Sequence, residues 1–547
     1  MARAVAALGL AALVMLPRLA SPQFGLLDDG HTLQTARQVH GRWSSVLYLI
    51  PETGRFFPAH WLAYSLISSL VGVRPLAFFT ITLFVFAVLI AMLARLVRLL
   101  GGTPVAAAVG AIFFASSGPA IETFYTLSKA EPLQAAWIGA SLLGTAASAR
   151  TAAWSLKRGA WLGLAMATAL LAHTTKETSI VLIPIGLGWL AFEWRARPRE
   201  SSRIRFAASY VAVSVVAASV FLVLRWQYAA LGIAEGTYTR AYGLRPATIG
   251  PALFRIAAWL VRDFAWLLPV LVAAWLLGNS GAIATRRQIA YPGIWMTGWL
   301  LVFLPWPATF EYYLFPFTCG AAALAGAVVG EAWARRRRVR LSPTPRLAWA
   351  FLVTTGLLWS VSLVNAALDA RVQLTVDRAN ADMVRFLATL PRDSHVVFNM
   401  TPVNEYHFEV PMHLSEIMGR RDLVFLQPKA PRESGALSGP QTYVLTPEMV
   451  NQPGPTVRIA LHEAGVRQDN GRLLGTLVPG GMELVYRTAQ RSHLVEIGLQ
   501  RLLCLLGGGL IDEPAYCPSD RGVLFRRTFA YGWQVHRVVH RAPNAPR

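Results

Sequence analysis

PLAFFTITLFVFAVLIAMLARL, residues Pro75–Leu96, is a continuous apolar run that ends in the basic burst RLVRLLGG. A helix needs about 17–25 apolar residues to cross a bilayer, and this run is long enough. Further candidates are Val5–Leu19, Val105–Ala120, Pro132–Ala149, Ala160–Ala172, Ser179–Phe192, Ala207–Leu224, Phe264–Leu277, Ile289–Leu304, Leu314–Val329 and Leu347–Val364. Some are short and need flanking residues to complete a crossing. The fold class expected is a polytopic α-helical membrane protein of about eleven spans. The run Phe57–Val71 is amphipathic and broken by His60 and serines. It reads as a helix lying in the interface, or re-entrant in part.

Composition agrees. The chain of 547 residues is 54% hydrophobic and 15% charged, where soluble proteins carry about 25% charge. The net charge of +22 is delivered in bursts between apolar runs, such as EWRARPRESSRIRF and ARRRRVRL. Those bursts read as positive-inside topology signals that also touch anionic headgroups. A nucleic-acid binder would cluster its bases on a soluble domain, so nucleic acid is not an expected partner. The opening MARAVAALGLAALVMLPRLASPQ has the features of a secretory signal or of an uncleaved first helix that loses regularity at Pro17. The uncleaved helix is preferred, because many spans follow it.

With the N-terminus inside, the cytoplasmic loops collect most of the bases. Asp28, Asp29, Glu52, Glu122, Glu131, Glu177, Glu235 and Glu311 all fall at the outer face. The expected domains are 1–366, the membrane module; 367–490, an extracytoplasmic α/β domain; and 491–547, a basic tail docked on the membrane or the domain. Within the α/β domain, His395–Asn399, DLVFLQ, TYVLTP and MELVYRT read as strands, with helices near Glu405–Gly419 and Val457–Gly465. No GxGxxG loop supports nucleotide binding. Cys319 reads as a core residue, and Cys504 and Cys517 as either a pair or two separate thiols.

Six outer segments carry candidate chemistry. In LLDDGHTL, Asp28 and Asp29 are either caps for a helix starting near Gly30, or a carboxylate base at a polar cavity, with or without a divalent metal (Mg2+, Mn2+ or Ca2+). In ETGRFFPAHW, Glu52, Arg55 and His60 share a loop, where Arg55 could meet a phosphate or anchor at the interface. In IETFYTLSKAEPLQ, Glu131 starts a helix and meets its dipole, while Lys129 stands on the outer side against the positive-inside bias, with Glu122 nearby. In AHTTKETSIVLIPI, His173, Lys176 and Glu177 fill a tight turn, and Lys176 either pairs with Glu177 or binds a lipid phosphate. In PWPATFEYYLFPF, Glu311 and Tyr312 end a span. A longer loop, AEGTYTRAYGLRPATIG, offers Tyr238 and Arg240 for a sugar face and a phosphate, as a lid or as a passive connector.

In this order and on this face, LLDDGHTL, GRFFPAHW, SKAEPL and TTKETSIVLIPI resemble the GT-C superfamily of polytopic glycosyltransferases, over roughly residues 1–364. Its members include protein O-mannosyltransferases, aminoarabinose transferases and arabinofuranosyltransferases. The resemblance implies a polyprenyl-phosphate-linked sugar as donor and a glycan, lipid or protein acceptor on the extracytoplasmic side. It also implies the first acid of the pair, Asp28, as base, with Asp29 orienting it or sharing a metal. In the aminoarabinose transferases an arginine stands three residues after that base, where this chain has His31. Arg55, Lys176 and Arg240 are the substitutes expected at the donor phosphate. The alanine- and arginine-rich composition suggests a bacterial cell membrane. The competing reading is a lipid or solute transporter, which would place its ionisable residues near the midplane and show inverted repeats.

Overall fold

The structure, a computed structural model, describes residues 2–26, 28–47, 56–151, 155–196, 200–229, 245–278, 283–306, 311–335, 343–399, 406–426, 441–450, 481–488, 493–496 and 527–539. Each apolar stretch coincides with a helix or with two. In chain order they begin α1 (Ala2–Ala20), α2 (Asp29–Gly41), α3 (Pro58–Val71), α4 (Pro75–Leu99), α5 (Pro104–Ala115), α6 (Gly118–Tyr125), α7 (Glu131–Arg150) and α8 (Leu156–Thr175). They continue as α9 (Leu182–Arg195), α10 (Ser201–Ala229), α11 (Pro246–Phe264), α12 (Leu267–Gly278), α13 (Ile283–Phe303), α14 (Phe315–Ala334), α15 (Pro343–Ala388) and α16 (Tyr406–Glu416). Proline opens α3, α4, α5, α6, α7, α11 and α14, where its missing N–H would be unbonded anyway.

The chain is an integral, multi-pass membrane protein. Five described helices are long and apolar enough to cross alone: Arg3–Ala20, Pro75–Leu99, Ser201–Tyr228, Glu311–Ala334 and Arg346–Ala388. Two bent pairs, α5 with α6 at 57° and α11 with α12 at 77°, bring the number to as many as seven where each pair is one broken span and not a re-entrant loop. Four other expected spans lie on helices that do not meet this criterion. One is α9, with 14 residues. Another is α7, which buries Ser141, Thr145 and Ser148. Inside a bundle, small and hydroxyl residues pack against neighbouring helices instead of lipid. The same rule joins α5 to α14: a Cβ on Gly326 would stand 2.2 Å from the Ala106 carbonyl oxygen. Helix α3 occupies Phe57–Val71, the stretch read as interfacial.

Helix α15 has 46 residues, about 69 Å of helix, more than twice the ~30 Å hydrocarbon core. It passes residue 366 unbroken, and its far half packs against a β-sheet. There β1 (His395–Phe398), β2 (Val424–Leu426), β3 (Thr442–Val450), β4 (Gly481–Arg487), β5 (His493–Glu496) and β6 (Arg527–Val539) form one mixed sheet. The order is β2-β1-β3-β6-β4, with β5 also on β6. Strand β1 is parallel to β2 and β3, and β6 is antiparallel to β3, β4 and β5. Residues 527–539, in the stretch read as a tail, are thus an inner strand of the sheet. Trp533 and Tyr531 of that strand both donate to Asn380 Oδ1 at 2.8 Å. Leu26, just past α1, is buried in the core formed by α15, α16 and the sheet. Residues 457–465, Cys504 and Cys517 lie outside the described residues.

At the junction of the two halves, the buried Arg18 of α1 pairs with the buried Asp377 of α15 at 2.7 Å. The Arg18 guanidinium also lies 4.1 Å from the Phe79 ring centroid. Removing one member of such a pair strands a charge, at a cost of about 3–5 kcal/mol, whereas an apolar replacement of both restores much of it. Arg18→Met should therefore lower the thermal midpoint of the detergent-purified protein sharply. Adding Asp377→Leu should recover most of that loss in the same tryptophan-fluorescence melt.

Candidate active site

After α1 the chain turns through Gly25 and Leu26, and Asp28 adopts the left-handed conformation at φ 65° before α2 begins. Aspartate tolerates this region better than most side chains. The Asp28 carbonyl accepts from Thr32 N at 2.9 Å, but its exposed side chain makes no capping bond. Asp29 points the other way. It is buried, with Oδ2 accepting from Gly25 N at 2.7 Å and Oδ1 from Ser128 N at 3.2 Å. Burial pushes its carboxyl up to about 8, and the nearby Asp377 and Glu409 charges push the same way against Arg18 and the Gly25 N–H.

The capping alternative for the acid pair is corrected here, because a different residue holds the end of α2. Glu409 of α16 accepts from Gly30 N at 2.6 Å through Oε2 and from His31 N at 3.0 Å through Oε1. His413 Nε2 lies 3.5 Å from the same Oε2. Gly30 is required by this close approach: a Cβ there would meet Glu409 Oε2 and His413 Cδ2 at 2.7 Å. The sequence reading missed Glu409 and His413. Their spacing of four in YHFEVPMH, on one helix face, was the available signal.

The other outer segments join through the loop after α6. Tyr64 of α3 donates to the Leu127 carbonyl, and Ser128 N binds Asp29. His60 is buried with its ring 4.8 Å from both Trp61 and Tyr64, and the His31 ring lies 5.9 Å from Trp61. Lys129 Nζ stands 4.0 Å from the Tyr312 ring centroid. Lys176 Nζ bonds to Glu131 and stands 4.6 Å from the Tyr313 ring. So Lys176 bonds to Glu131 of α7, a partner different from both expected alternatives, the adjacent Glu177 and a lipid phosphate. Gln134 secures that turn by donating to Thr178 Oγ1 at 3.0 Å and Ser179 Oγ at 2.8 Å. Glu177 is half-buried in the 3-10 turn Glu177–Val181.

Deeper in the bundle, Arg262 at the end of α11 bonds Glu311 Oε2 at 2.9 Å, Asp263 at 3.2 Å, and Asp369 of α15. Glu122 lies within the field of Lys129, Asp369 and Arg262. Arg18, Arg262, Asp369 and Asp377 were not singled out in the sequence, although a charge inside an apolar helix is a signal in itself. Asp28, Asp29, Lys129, Glu131, Lys176 and Tyr312 are brought to one end of the bundle by a continuous set of contacts, with Glu122 and Glu311 beneath. His173 is engaged elsewhere, its Nδ1 2.9 Å from the Ala169 carbonyl oxygen of its own helix. Glu52, Arg55, Tyr238 and Arg240 lie outside the described residues.

The acid pair fits a divalent metal poorly. Both oxygens of Asp29 already accept backbone N–H bonds, and among the described residues no three His, Cys, Asp or Glu side chains are grouped to hold an ion.

The whole architecture is similar to that of ArnT, the aminoarabinose transferase, from Cupriavidus metallidurans. The structure with bound undecaprenyl phosphate matches at TM-score 0.51 and 15% identity, over 85% of this chain and 96% of that one. The apo structure matches at 0.52 and 15%, over 88% and 95%. The protein has the GT-C fold. The archaeal oligosaccharyltransferase AglB from Archaeoglobus fulgidus, in complex with an inhibitory peptide and a dolichol-phosphate, matches at 0.49 and 11% over 81% and 69%. No protein-family model and no curated sequence matches the chain. The acid-bearing end and the sheet-bearing part of the chain lie together, since Glu409 of α16 caps α2.

Between the ordinary carboxyl value of 3.8 and about 8, folded Asp29 keeps a proton that the unfolded chain releases. Stability therefore falls as pH rises across that window. Melts in detergent from pH 5 to pH 9 should show this decline in the wild type. They should show a flatter profile for Asp29→Asn, which keeps an acceptor oxygen and has no proton to lose.

Proposed function

We propose that the protein is an inverting glycosyltransferase that moves a sugar from a polyprenyl-phosphate donor to an acceptor hydroxyl at the acid-bearing end. The observation that carries this reading is the division of labour in the acid pair. Glu409 accepts from two amides in the first turn of α2, those of Gly30 and His31, while the Asp28 carboxylate beside them is exposed. The buried Asp29 holds the turn and, with its raised pKa, is a poor base at neutral pH. The structural match to ArnT, solved with undecaprenyl phosphate, supports the donor class.

In the reaction, Asp28 takes the proton of the acceptor hydroxyl as its oxygen attacks the anomeric carbon. The bond from that carbon to the phosphate oxygen breaks, and its electron pair leaves with the phosphate. The products are an inverted glycoside and the polyprenyl phosphate. Phosphate is a good leaving group, so cations stabilise it in place of a general acid. Lys129 and Lys176 are the described cations for that task, with Arg55, Arg240 and His31 as further donors to the phosphate. Tyr238 offers a ring face to a sugar, and the Tyr312 ring carries Lys129. Glu131 holds Lys176, Glu122 lies in the field of Lys129, and Glu311 holds Arg262 beneath them. By the positive-inside rule the arginine-rich end faces the cytoplasm and this site the opposite side, and the alanine- and arginine-rich composition suits a bacterial cell membrane.

The test is a transfer assay on protein reconstituted in lipid, offered a panel of polyprenyl-phosphate sugars with and without chelator. Asp28→Asn should keep expression and melting point while turnover falls about 10²–10⁴-fold, the usual contribution of a general base. The chelator arm reports whether a divalent ion takes part. Wild-type binding of donors with no turnover of any sugar would replace the transferase with a transporter.

A further inference from the structure

Far from the acid pair, at the end that carries Arg150, Arg203 and Arg287, the helices leave an internal space of about 270 Å³. Its walls are mainly apolar and run along α4 from Leu89 to Leu100 and along α7 from Ala135 to Arg150. Small residues make the room, among them Ala135, Ala146 and Ala323. On α4 the walls extend over about 16 Å of helix, close to one leaflet of the ~30 Å hydrocarbon core.

The mouth is polar and cationic. Arg150, the exposed last residue of α7, and Arg203 both line it, together with Glu200. Glu200 is taken up by Arg287, and its other oxygen lies 3.7 Å from Arg203 Nε. Arg287 also holds the buried Glu193 at 2.8 and 2.9 Å. Arg203 is fixed at the end of α4, where its Nη2 donates to the Leu99 carbonyl at 3.1 Å. The charged residues that line the cavity are thus two arginines, Arg150 and Arg203, and one glutamate, Glu200, which Arg287 also neutralises, beside the start of helix α10 at Ser201 and Ser202.

We infer that this cavity binds one acyl chain of an anionic glycerophospholipid, with the headgroup phosphate on Arg150 and Arg203. An apolar space inside a membrane bundle excludes water and gains from each methylene it buries. Its depth fits a chain that spans one leaflet. A donor lipid reacting at the acid pair would hold its phosphate at the other end of the helices, so this mouth suits a resident phospholipid. The assignment does not depend on the transferase reading.

The test uses delipidated full-length protein in detergent, titrated by native mass spectrometry. The probes are dioleoyl phosphatidylglycerol, dioleoyl phosphatidylcholine, undecaprenyl phosphate and inorganic phosphate. One phosphatidylglycerol should bind in preference to phosphatidylcholine. Ala146→Phe, which fills the space, should weaken it by at least about tenfold. Arg150→Ala should narrow the preference for the anionic lipid by about threefold to fivefold and leave phosphatidylcholine unchanged. A photoactivatable phosphatidylglycerol should crosslink the wild type on α4, α7 or α13, a readout independent of how well the variants fold. Equal binding of the two phospholipids, equal binding by Ala146→Phe, or crosslinks elsewhere would overturn the site. Tighter binding of undecaprenyl phosphate at the same peptides would overturn the phospholipid in favour of an isoprenoid. Competition by inorganic phosphate as strong as by lipid would reduce the site to a headgroup contact and overturn the acyl chain.

Discussion

The ion pair between Arg18 and Asp377 sets the geometry on which the candidate site depends. It joins the last turn of the first helix to the long helix α15, and the chain emerging from that first helix has only a few residues before Asp28. Three polar contacts along α15 repeat the arrangement. Asp369 meets Arg262 of the membrane bundle, Asp377 meets Arg18, and Asn380 accepts from Trp533 and Tyr531 of the sheet. At 1.5 Å per residue the three lie within about 17 Å on a single rod. Buried ion pairs contribute little net stability, because desolvation offsets their attraction. What they do here is forbid alternatives, since any slip of α15 against α1 would strand two charges in an apolar core.

Fixing α15 also fixes what α2 can do. A helix start that meets the soluble domain has orphan N–H groups to satisfy, and Glu409 supplies both acceptor oxygens. The acid next to that start is then released from capping duty. Asp29 is drawn inward by Gly25 and Ser128, and Asp28 is left exposed by a left-handed backbone. Two adjacent aspartates thus acquire opposite environments, one desolvated and proton-retaining, the other in water. Separated environments of this kind are how paired carboxylates take different roles.

The membrane half was largely legible, because a run such as Pro75–Leu96 has few alternatives to a spanning helix. The four strands from His395 to Thr488 were legible for a similar reason, in that short β-branched and aromatic runs were bounded by turn residues. The strand at 527–539 was hidden because RTFAYGWQVHRVV carries basic residues that matched the charge of its surroundings. The partners of the site were hidden for a different reason. Lys176 finds Glu131, 45 residues away, and Asp29 finds Asp377 and Glu409 through the fold, whereas a sequence offers only neighbours such as Glu177. Glu409 is the sharpest case, since its function as a cap belongs to a helix 379 residues earlier.

The choice of cation at the site carries its own argument. The chain has four lysines, Lys129, Lys157, Lys176 and Lys429, among 51 basic residues, and two of them stand over the tyrosines of the candidate site. At other buried ion pairs among the described residues arginine does the structural work, as at Arg18, Arg262 and Arg287, where a planar fork satisfies a carboxylate and stays put. An arginine in place of Lys176 would lock onto both oxygens of Glu131. An ammonium offers three rotatable donors from a single point, so it can hold one carboxylate oxygen, rest on a ring face and still turn toward an arriving phosphate. A site that must hold a phosphate ester, release it from the sugar and let the lipid depart needs a cation with that freedom. The proposed transfer chemistry gives lysine a purpose at this site, in a chain that carries 4 lysines among its 51 basic residues.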